Sequence, residues 1–178
     1  MKKVLIVVDM QNDFIIGSLG SNEAKLVVAG VATKIKEYKR NGDIIVFTRD
    51  THNDGYLNTQ EGKFLPVVHC VKDTIGWEIY DEIKELIEPS MAIIDKPTFG
   101  SMELATKIKN LSNSEEIEVE LVGVCTDICV VSNALILKAF LPEAGLKVDA
   151  SCCAGVTVER HKSALETLKS CQITIINE

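Results

Sequence analysis

A chain of 178 residues with 46% apolar and 25% charged side chains holds enough hydrophobic material for one well-packed core, since a chain of this size buries roughly 70% of its unfolded surface. A formal net charge of −7 and a pI of about 5.1, with no basic stripe, exclude an electrostatic nucleic-acid surface and leave small-molecule chemistry as the expectation. The charges are dispersed, with no repeat or low-complexity tract, so a single folded domain over residues 1–178 is expected rather than disorder.

The chain opens with "MKKVLIVVDM". Its apolar run stops at Asp9, short of the roughly 7 to 15 residues of a secretory h-region. No other run approaches the roughly 20 residues of a membrane span. The expectation is a cytoplasmic protein that keeps its six cysteines reduced.

Short β-branched runs then alternate with helical patterns: "KVLIVVD", "AKLVVAGVATKIKEYKRNG", "DIIVFTRD", "MAIID", "MELATKIKNL", "IEVELVGV", "DICVVSNALILKAFL", "LKVDAS", "VERHKSALETLKS" and "QITIIN". Strands that read as continuous apolar runs between helices predict a doubly wound α/β fold, a parallel sheet covered on both faces. The stretch from Thr51 to about Thr74, polar and rich in Gly and His, breaks the alternation. A connection of that length is a candidate binding loop. Ligands in open α/β sheets bind beyond the carboxyl ends of the strands.

Asp9 stands at the first of those ends, and a carboxylate beside such an apolar run is costly unless a cation or donors meet it. It could equally cap the turn "DMQNDF". Lys96 follows "AIID" and could be an ordinary loop lysine. In "GVCTDICVV" Cys129 falls in the first turn of a helix, with Thr126 or Asp127 available as N-cap. The helix dipole and a nearby lysine would lower the Cys129 thiol from about 8.5 toward the range of activated cysteines. Cys125, at the strand end, lacks that advantage. A disulfide between the two, a zinc clip and simple core packing are the other readings, and no second cysteine pair completes a clip. An acid, an ammonium and a thiol at three strand ends would suit nucleophilic chemistry.

Two of the three histidines, His52 and His69, fall in the long loop, with Asp50 opening it and Glu61 between them. Imidazole and carboxylate together suit Zn, Mn or Fe, although a polar loop can carry such residues without any ion. His161, in "VERHKSALETL", reads as a helix-surface or packing residue. Neither G-x-G-x-x-G nor G-x-x-x-x-G-K-[ST] is present, which weighs against a noncatalytic nucleotide- or flavin-binding module.

Taken in order, "VDMQNDF", "FTRDTH", "EGKFLPVVHC", "DTIGWE", "DKPTFGS", "GVCTDICV" and "VDASCCAGVTVERHKSALETL" resemble the isochorismatase-like cysteine hydrolases, most closely the nicotinamidases. The resemblance covers almost the whole chain. It implies a three-layer α/β/α fold on a six-stranded parallel sheet of order 3-2-1-4-5-6, in a homodimer or higher assembly. It implies a catalytic triad of Asp9, Lys96 and Cys129. The backbone N–H groups of Cys125 and Cys129 would form an oxyanion hole, with a cis peptide between Val124 and Cys125. A divalent metal, zinc first and Mn or Fe as alternatives, would sit on Asp50, His52, Glu61 and His69.

Phe14, Phe99 and Val124 are the substrate-binding positions so implied. The activity implied is hydrolysis of nicotinamide, or a similar small amide, to the acid and ammonia through a cysteine thioester; another small amide, a ureido compound or isochorismate is the alternative. Three departures from the nicotinamidase pattern bear on the pocket. Nicotinamidases commonly have an aromatic residue and Pro shortly before the histidine that matches His69, where this chain reads "FLPVVH", and Phe64 or Trp77 could supply the aromatic. "PTFGS" shifts Phe99, and Asp73 replaces a glycine.

Overall fold

The computed structural model describes residues 1–112 and 116–178. In chain order the elements are β1 (Lys2–Val8), α1 (Asn12–Ile15), α2 (Asn22–Asn41), β2 (Ile44–Asp50), α3 (Gln60–Phe64), α4 (Asp81–Lys84), β3 (Ala92–Lys96), α5 (Met102–Ser112), β4 (Ile117–Val124), α6 (Val131–Phe140), β5 (Gly145–Ala154), α7 (Val158–Ser170) and β6 (Thr174–Ile176). The six strands form one parallel sheet in the order β3-β2-β1-β4-β5-β6. The expected architecture is therefore the one observed.

Side-chain alternation along each strand feeds two cores. Val4, Ile6 and Val8 of β1 face Leu104, Ala134, Leu137 and Leu165 on α5, α6 and α7. Leu5 and Val7 face Val28, Val31 and Ile35 of α2 and Ile83 of α4. Residues Val4 to Val8 are all 0% exposed, as a central strand of a doubly covered sheet requires.

Local chemistry sets the limits of α2. The Ser21 hydroxyl accepts the Ala24 N–H at 3.0 Å, Gly42 closes the helix at φ 71°, and Glu23 and Lys39 and Arg40 complement its dipole. Its buried face, from Ala24 through Val27, Val28 and Val31 to Ile35 and Tyr38, follows the helical period.

Two glycines shape the carboxyl edge of the sheet. Gly123, at φ +117°, pairs with Val8, and a Cβ there would collide with the Val8 carbonyl oxygen. Gly62 of α3 is equally restricted, since a Cβ would strike the carbonyl oxygen of Tyr56. That close approach packs α3 onto the single 3-10 turn Tyr56–Asn58. The long loop thus holds short helical structure of its own, too brief to be visible as periodicity.

Candidate active site

Three strand ends converge beyond the carboxyl edge. Asp9 follows β1, Lys96 ends β3, and Cys129 lies in a π-helical turn, Thr126–Val130, between β4 and α6. Lys96 Nζ is 2.6 Å from Asp9 Oδ2 and 3.5 Å from Cys129 Sγ. It also donates to the Thr98 carbonyl at 3.2 Å. Asp9, Lys96 and Cys129 are 0%, 1% and 5% exposed, so the long lysine stem is wholly enclosed.

The backbone at Asp9 has φ +49°, an uncommon conformation for a non-glycine residue and one found at functional sites. Thr48 of β2 secures the turn: its hydroxyl donates to Asp9 Oδ1 at 2.6 Å, and the Asp9 N–H donates to the Thr48 carbonyl at 3.2 Å. The Gln11 amide then ties the ends of β1 and β2 together. Its Nε2 donates to the carbonyls of Asp50 and Trp77, and its Oε1 accepts the Asp50 N–H at 2.7 Å.

Enclosure dominates the electrostatics. Burial raises the Asp9 carboxyl, against the lowering pull of Lys96. Burial would lower Lys96, but Asp9, Cys129 and Asp50 outweigh it and hold the ammonium charged. Burial and the Asp9 charge push the Cys129 thiol well above its usual value, with Lys96 opposing. The expected lowering of that thiol is overturned, because desolvation of the anion exceeds the help of one cation. The Cys129 thiol thus lies beside a carboxyl whose own value burial raises and an ammonium held charged.

The expected cap is overturned too. Cys125 is the N-cap residue, and the Thr126 and Asp127 side chains are engaged elsewhere. Thr126 Oγ1 meets His161 Nδ1 at 2.8 Å, and Asp127 Oδ1 accepts the Val156 N–H at 2.9 Å. The Cys125 carbonyl accepts from the N–H groups of both Ile128 and Val130 at 3.1 Å. The Val124–Cys125 peptide is cis. All six cysteines are free, so no disulfide joins Cys125 to Cys129.

The four loop residues also meet. His52 Nε2 is 2.9 Å from Asp50 Oδ2 and 3.6 Å from Glu61 Oε1; His69 Nε2 is 3.4 and 3.8 Å from the same atoms. One ligand atom from each of Asp50, His52, Glu61 and His69 lies within 4.8 Å of every other. The loop achieves this by pairing with itself: the His52 N–H donates to the Cys70 carbonyl and the Lys72 N–H to the His52 carbonyl, both at 2.9 Å. His69 Nδ1 is bonded to the Val67 carbonyl at 2.8 Å, which leaves Nε2 directed at the cluster. The residues fit a divalent ion, since ligands about 2.0 to 2.1 Å from a tetrahedral zinc stand about 3.3 Å apart.

His52 and His69 hold Asp50 ionised, well below the usual carboxylate range despite its burial. Glu61 is raised by burial and by Asp50. The Tyr56 ring, 4.6 Å from the His52 ring and 4.9 Å from the His69 ring, supports both.

A cavity of about 800 Å³ opens over these groups, with Cys129, Asp50, Glu61 and His69 in its wall. Phe14, Phe99 and Phe64 line it, Phe14 packed 5.7 Å from the His69 ring and the other two exposed at the rim. Trp77 does not line it: its Nε1–H donates to Thr51 and its ring lies 3.6 Å below the Arg49 guanidinium. Val124 differs from expectation as well. It is 0% exposed and packs in the α2-side core, because the β4 alternation that directs Val122 there directs Val124 there too. Cys125 and Ile128 occupy the wall instead.

Several contributors were not singled out from sequence. Gln11 and Thr48 brace the acid, and Asn133 braces the thiol turn by donating to the Cys129 carbonyl at 2.8 Å and to the Phe99 carbonyl at 3.1 Å. Asp13 accepts the Cys70 N–H at 2.7 Å and holds the loop behind His69. Their signal was polarity inside otherwise apolar or turn motifs, which gives no hint of a partner up to 66 residues away.

A parallel doubly wound sheet with an acid, an ammonium and a thiol at three strand ends, beside an N/O ligand cluster, defines an α/β protein equipped for nucleophilic chemistry. The isochorismatase domain family model matches residues 3–177, and the chain belongs to that family. It is a hydrolase of the nicotinamidase and pyrazinamidase type within it. It is 31% identical over 143 residues to an uncharacterized isochorismatase family protein of Bacillus subtilis (strain 168), 76% of this chain and 78% of that one. It is 28% identical over 173 residues to a nicotinamidase of Saccharomyces cerevisiae, 75% and 80% of the two chains. The pyrazinamidase of Pyrococcus horikoshii, whose crystal structure is a complex with zinc, superposes with a TM-score of 0.84 at 29% identity over 100% of both chains.

Proposed function

We propose that the chain hydrolyses nicotinamide to nicotinate and ammonia, with Cys129 as nucleophile, Asp9 as proton carrier and Lys96 as electrostatic partner. The observation that carries this reading is the contact of Lys96 Nζ with both Asp9, at 2.6 Å, and Cys129, at 3.5 Å, directly behind a cavity whose wall holds Cys129 together with Asp50, Glu61 and His69 of the ligand cluster. Burial raises both Asp9 and the Cys129 thiol, and both groups contact the one Lys96 ammonium.

As the sulfur bonds to the amide carbonyl carbon, the thiol proton passes to Asp9 and Lys96 stabilises the sulfur's developing charge. The carbonyl oxygen becomes an oxyanion in reach of the Cys125 and Cys129 N–H groups, each such donor contributing about 2.7 to 4 kcal/mol. Asp9 returns its proton to the nitrogen, the C–N bond breaks and ammonia leaves a thioester on Cys129. Water, deprotonated by Asp9, attacks the thioester carbon; the C–S bond breaks, the thiolate regains a proton and the acid departs.

A divalent ion held by Asp50, His52, Glu61 and His69, zinc first, would supply a Lewis acid for a ring nitrogen or other lone pair of the substrate. Phe14, with Phe99 and Phe64 at the rim, supplies apolar surface for a ring. The same chemistry would serve another small amide or a ureido compound, which is the alternative substrate.

The test is ammonia release from nicotinamide, measured with and without a chelator, beside a panel of small amides and ureido compounds. Release from nicotinamide supports the first reading; release only from another member of the panel overturns it. Among the described residues no helix is long and apolar enough to cross a membrane. A cytoplasmic, homo-oligomeric enzyme acting as a single domain over residues 1–178 completes the proposal.

A further inference from the structure

His161 lies in the first turns of α7, outside the cavity wall, yet its ring reaches the chain segment that carries Cys129. His161 Nδ1 is 2.8 Å from the hydroxyl of Thr126, a residue 0% exposed. A second bond runs in parallel, from the Val156 N–H to Asp127 Oδ1 at 2.9 Å. Gly155 lets the two segments approach this closely: a Cβ there would stand 2.9 Å from both Asp127 Oδ1 and the His161 backbone nitrogen. The segment from Gly155 to His161 is thus clasped against Thr126 and Asp127, the residues directly between Cys125 and Cys129.

The turn is anchored at both ends. Asn133 holds the Cys129 end: it donates to the Cys129 and Phe99 carbonyls and accepts the Ser101 N–H, which ties the turn to the connection after β3. At the Cys125 end the carbonyl is held only by two N–H groups of the turn itself. The Thr126–His161 bond, with the parallel Asp127–Val156 bond, anchors that end to the segment that follows β5. Burial lowers His161, so its ring is neutral near pH 7 and can bond a hydroxyl without bringing a charge beside the site.

We infer that His161 is a positioning residue, whose bond to Thr126 holds the Cys125–Cys129 turn at the angle that brings the Cys129 sulfur to Asp9 and Lys96. The inference rests on the proposed nucleophilic role of Cys129. A misplacement of a reacting group by about 1 Å can cost about 100-fold in rate.

The experiment compares His161→Ala, Thr126→Val and the double variant with His161→Asn, whose amide can occupy the Nδ1 position. Two quantities are read: steady-state ammonia release on whichever panel amide is turned over, and the rate at which iodoacetamide alkylates Cys129, followed by peptide mass spectrometry. His161→Ala and Thr126→Val should each lower kcat about 10- to 100-fold with KM changed less than about twofold, and should slow Cys129 alkylation. The double variant should lose no more than either single one, as for two partners in one bond. His161→Asn should recover most of the loss.

The inference is overturned if His161→Ala leaves kcat and alkylation within about twofold of the parent. It is equally overturned if the single losses add, or if His161→Asn fails as badly as His161→Ala at equal thermal stability. Failure of the nucleophile reading looks different: Cys129→Ala would then retain turnover. The alkylation rates still decide the position of the turn if no amide is hydrolysed.

Discussion

Lys96 Nζ lies 3.5 Å from Oδ1 of Asp50, the same ammonium that pairs with Asp9 at 2.6 Å. The strand pairing dictates this contact, because Lys96 and Asp50 are direct partners between β3 and β2. One buried cation therefore joins the thiol–acid pair to the carboxylate at the centre of the ligand cluster. The two halves of the site share an electrostatic environment and are not independent.

Cys129 and Cys125 should respond oppositely to truncation. Cys129→Ala removes the sulfur beside Lys96 and should lower kcat by about 10⁴-fold or more, with the fold intact by circular dichroism. Cys125→Ala keeps the backbone N–H and should leave activity within about threefold. Equal losses in the two variants would contradict the division of roles.

The acid limb of the pH–rate profile should lie above the ordinary carboxylate range. Asp9 must be ionised to accept the thiol proton, and its value is raised above 3.8, burial being the largest cause. A raised carboxyl takes up its proton at a higher pH, so the base form is lost earlier as pH falls. A profile of kcat/KM that stays flat down to pH 3.8 would count against Asp9 as the base.

Purified protein should contain close to one divalent ion per chain by elemental analysis. Asp50→Ala and His52→Ala should each reduce it to about a tenth or less, since each removes one of four ligand groups. Chelation should remove the ion from the parent without unfolding it, because both cores rest mainly on the strands and on helices α2, α5, α6 and α7. Retention of the ion in Asp50→Ala would place it elsewhere.

Gly123→Ala should lower stability by about 1 to 3 kcal/mol or more. The new methyl would meet the Val8 carbonyl, and φ +117° suits glycine alone. Because Val8 precedes Asp9 and Gly123 closely precedes Cys125, kcat should fall with stability. Denaturant unfolding and steady-state rates on one sample check both; an unchanged unfolding midpoint would mean the strand pair can spread.

Much of the architecture could be read from sequence because its signals are local and periodic. "KVLIVVD" and "IEVELVGV" are runs that only a doubly covered strand explains, and "AKLVVAGVATKIKEYKRNG" carries the helical period between a serine cap and a glycine stop. Asp9, Lys96 and Cys129 could be named from their places after strands, and Asp50, His52, Glu61 and His69 from their residue types in one loop. Where the cues were of another kind, sequence misled. The Thr126–Val130 turn is π-helical with no side-chain cap, and residue order cannot reveal that His161 occupies Thr126 or that Val156 occupies Asp127.

By itself the sequence determined which residues end each strand, and so which side chains could reach the carboxyl edge of the sheet. Only the tertiary structure decided how those side chains behave. Parallel register brought Lys96 against Asp50 and Asp9, and the self-pairing of the loop at His52 and Val71 drew the ligand atoms together. Burial then reversed the expected direction for the Cys129 thiol. The physical reason is that strand ends follow from local hydrophobic pattern, whereas desolvation and charge contact depend on neighbours distant in the chain.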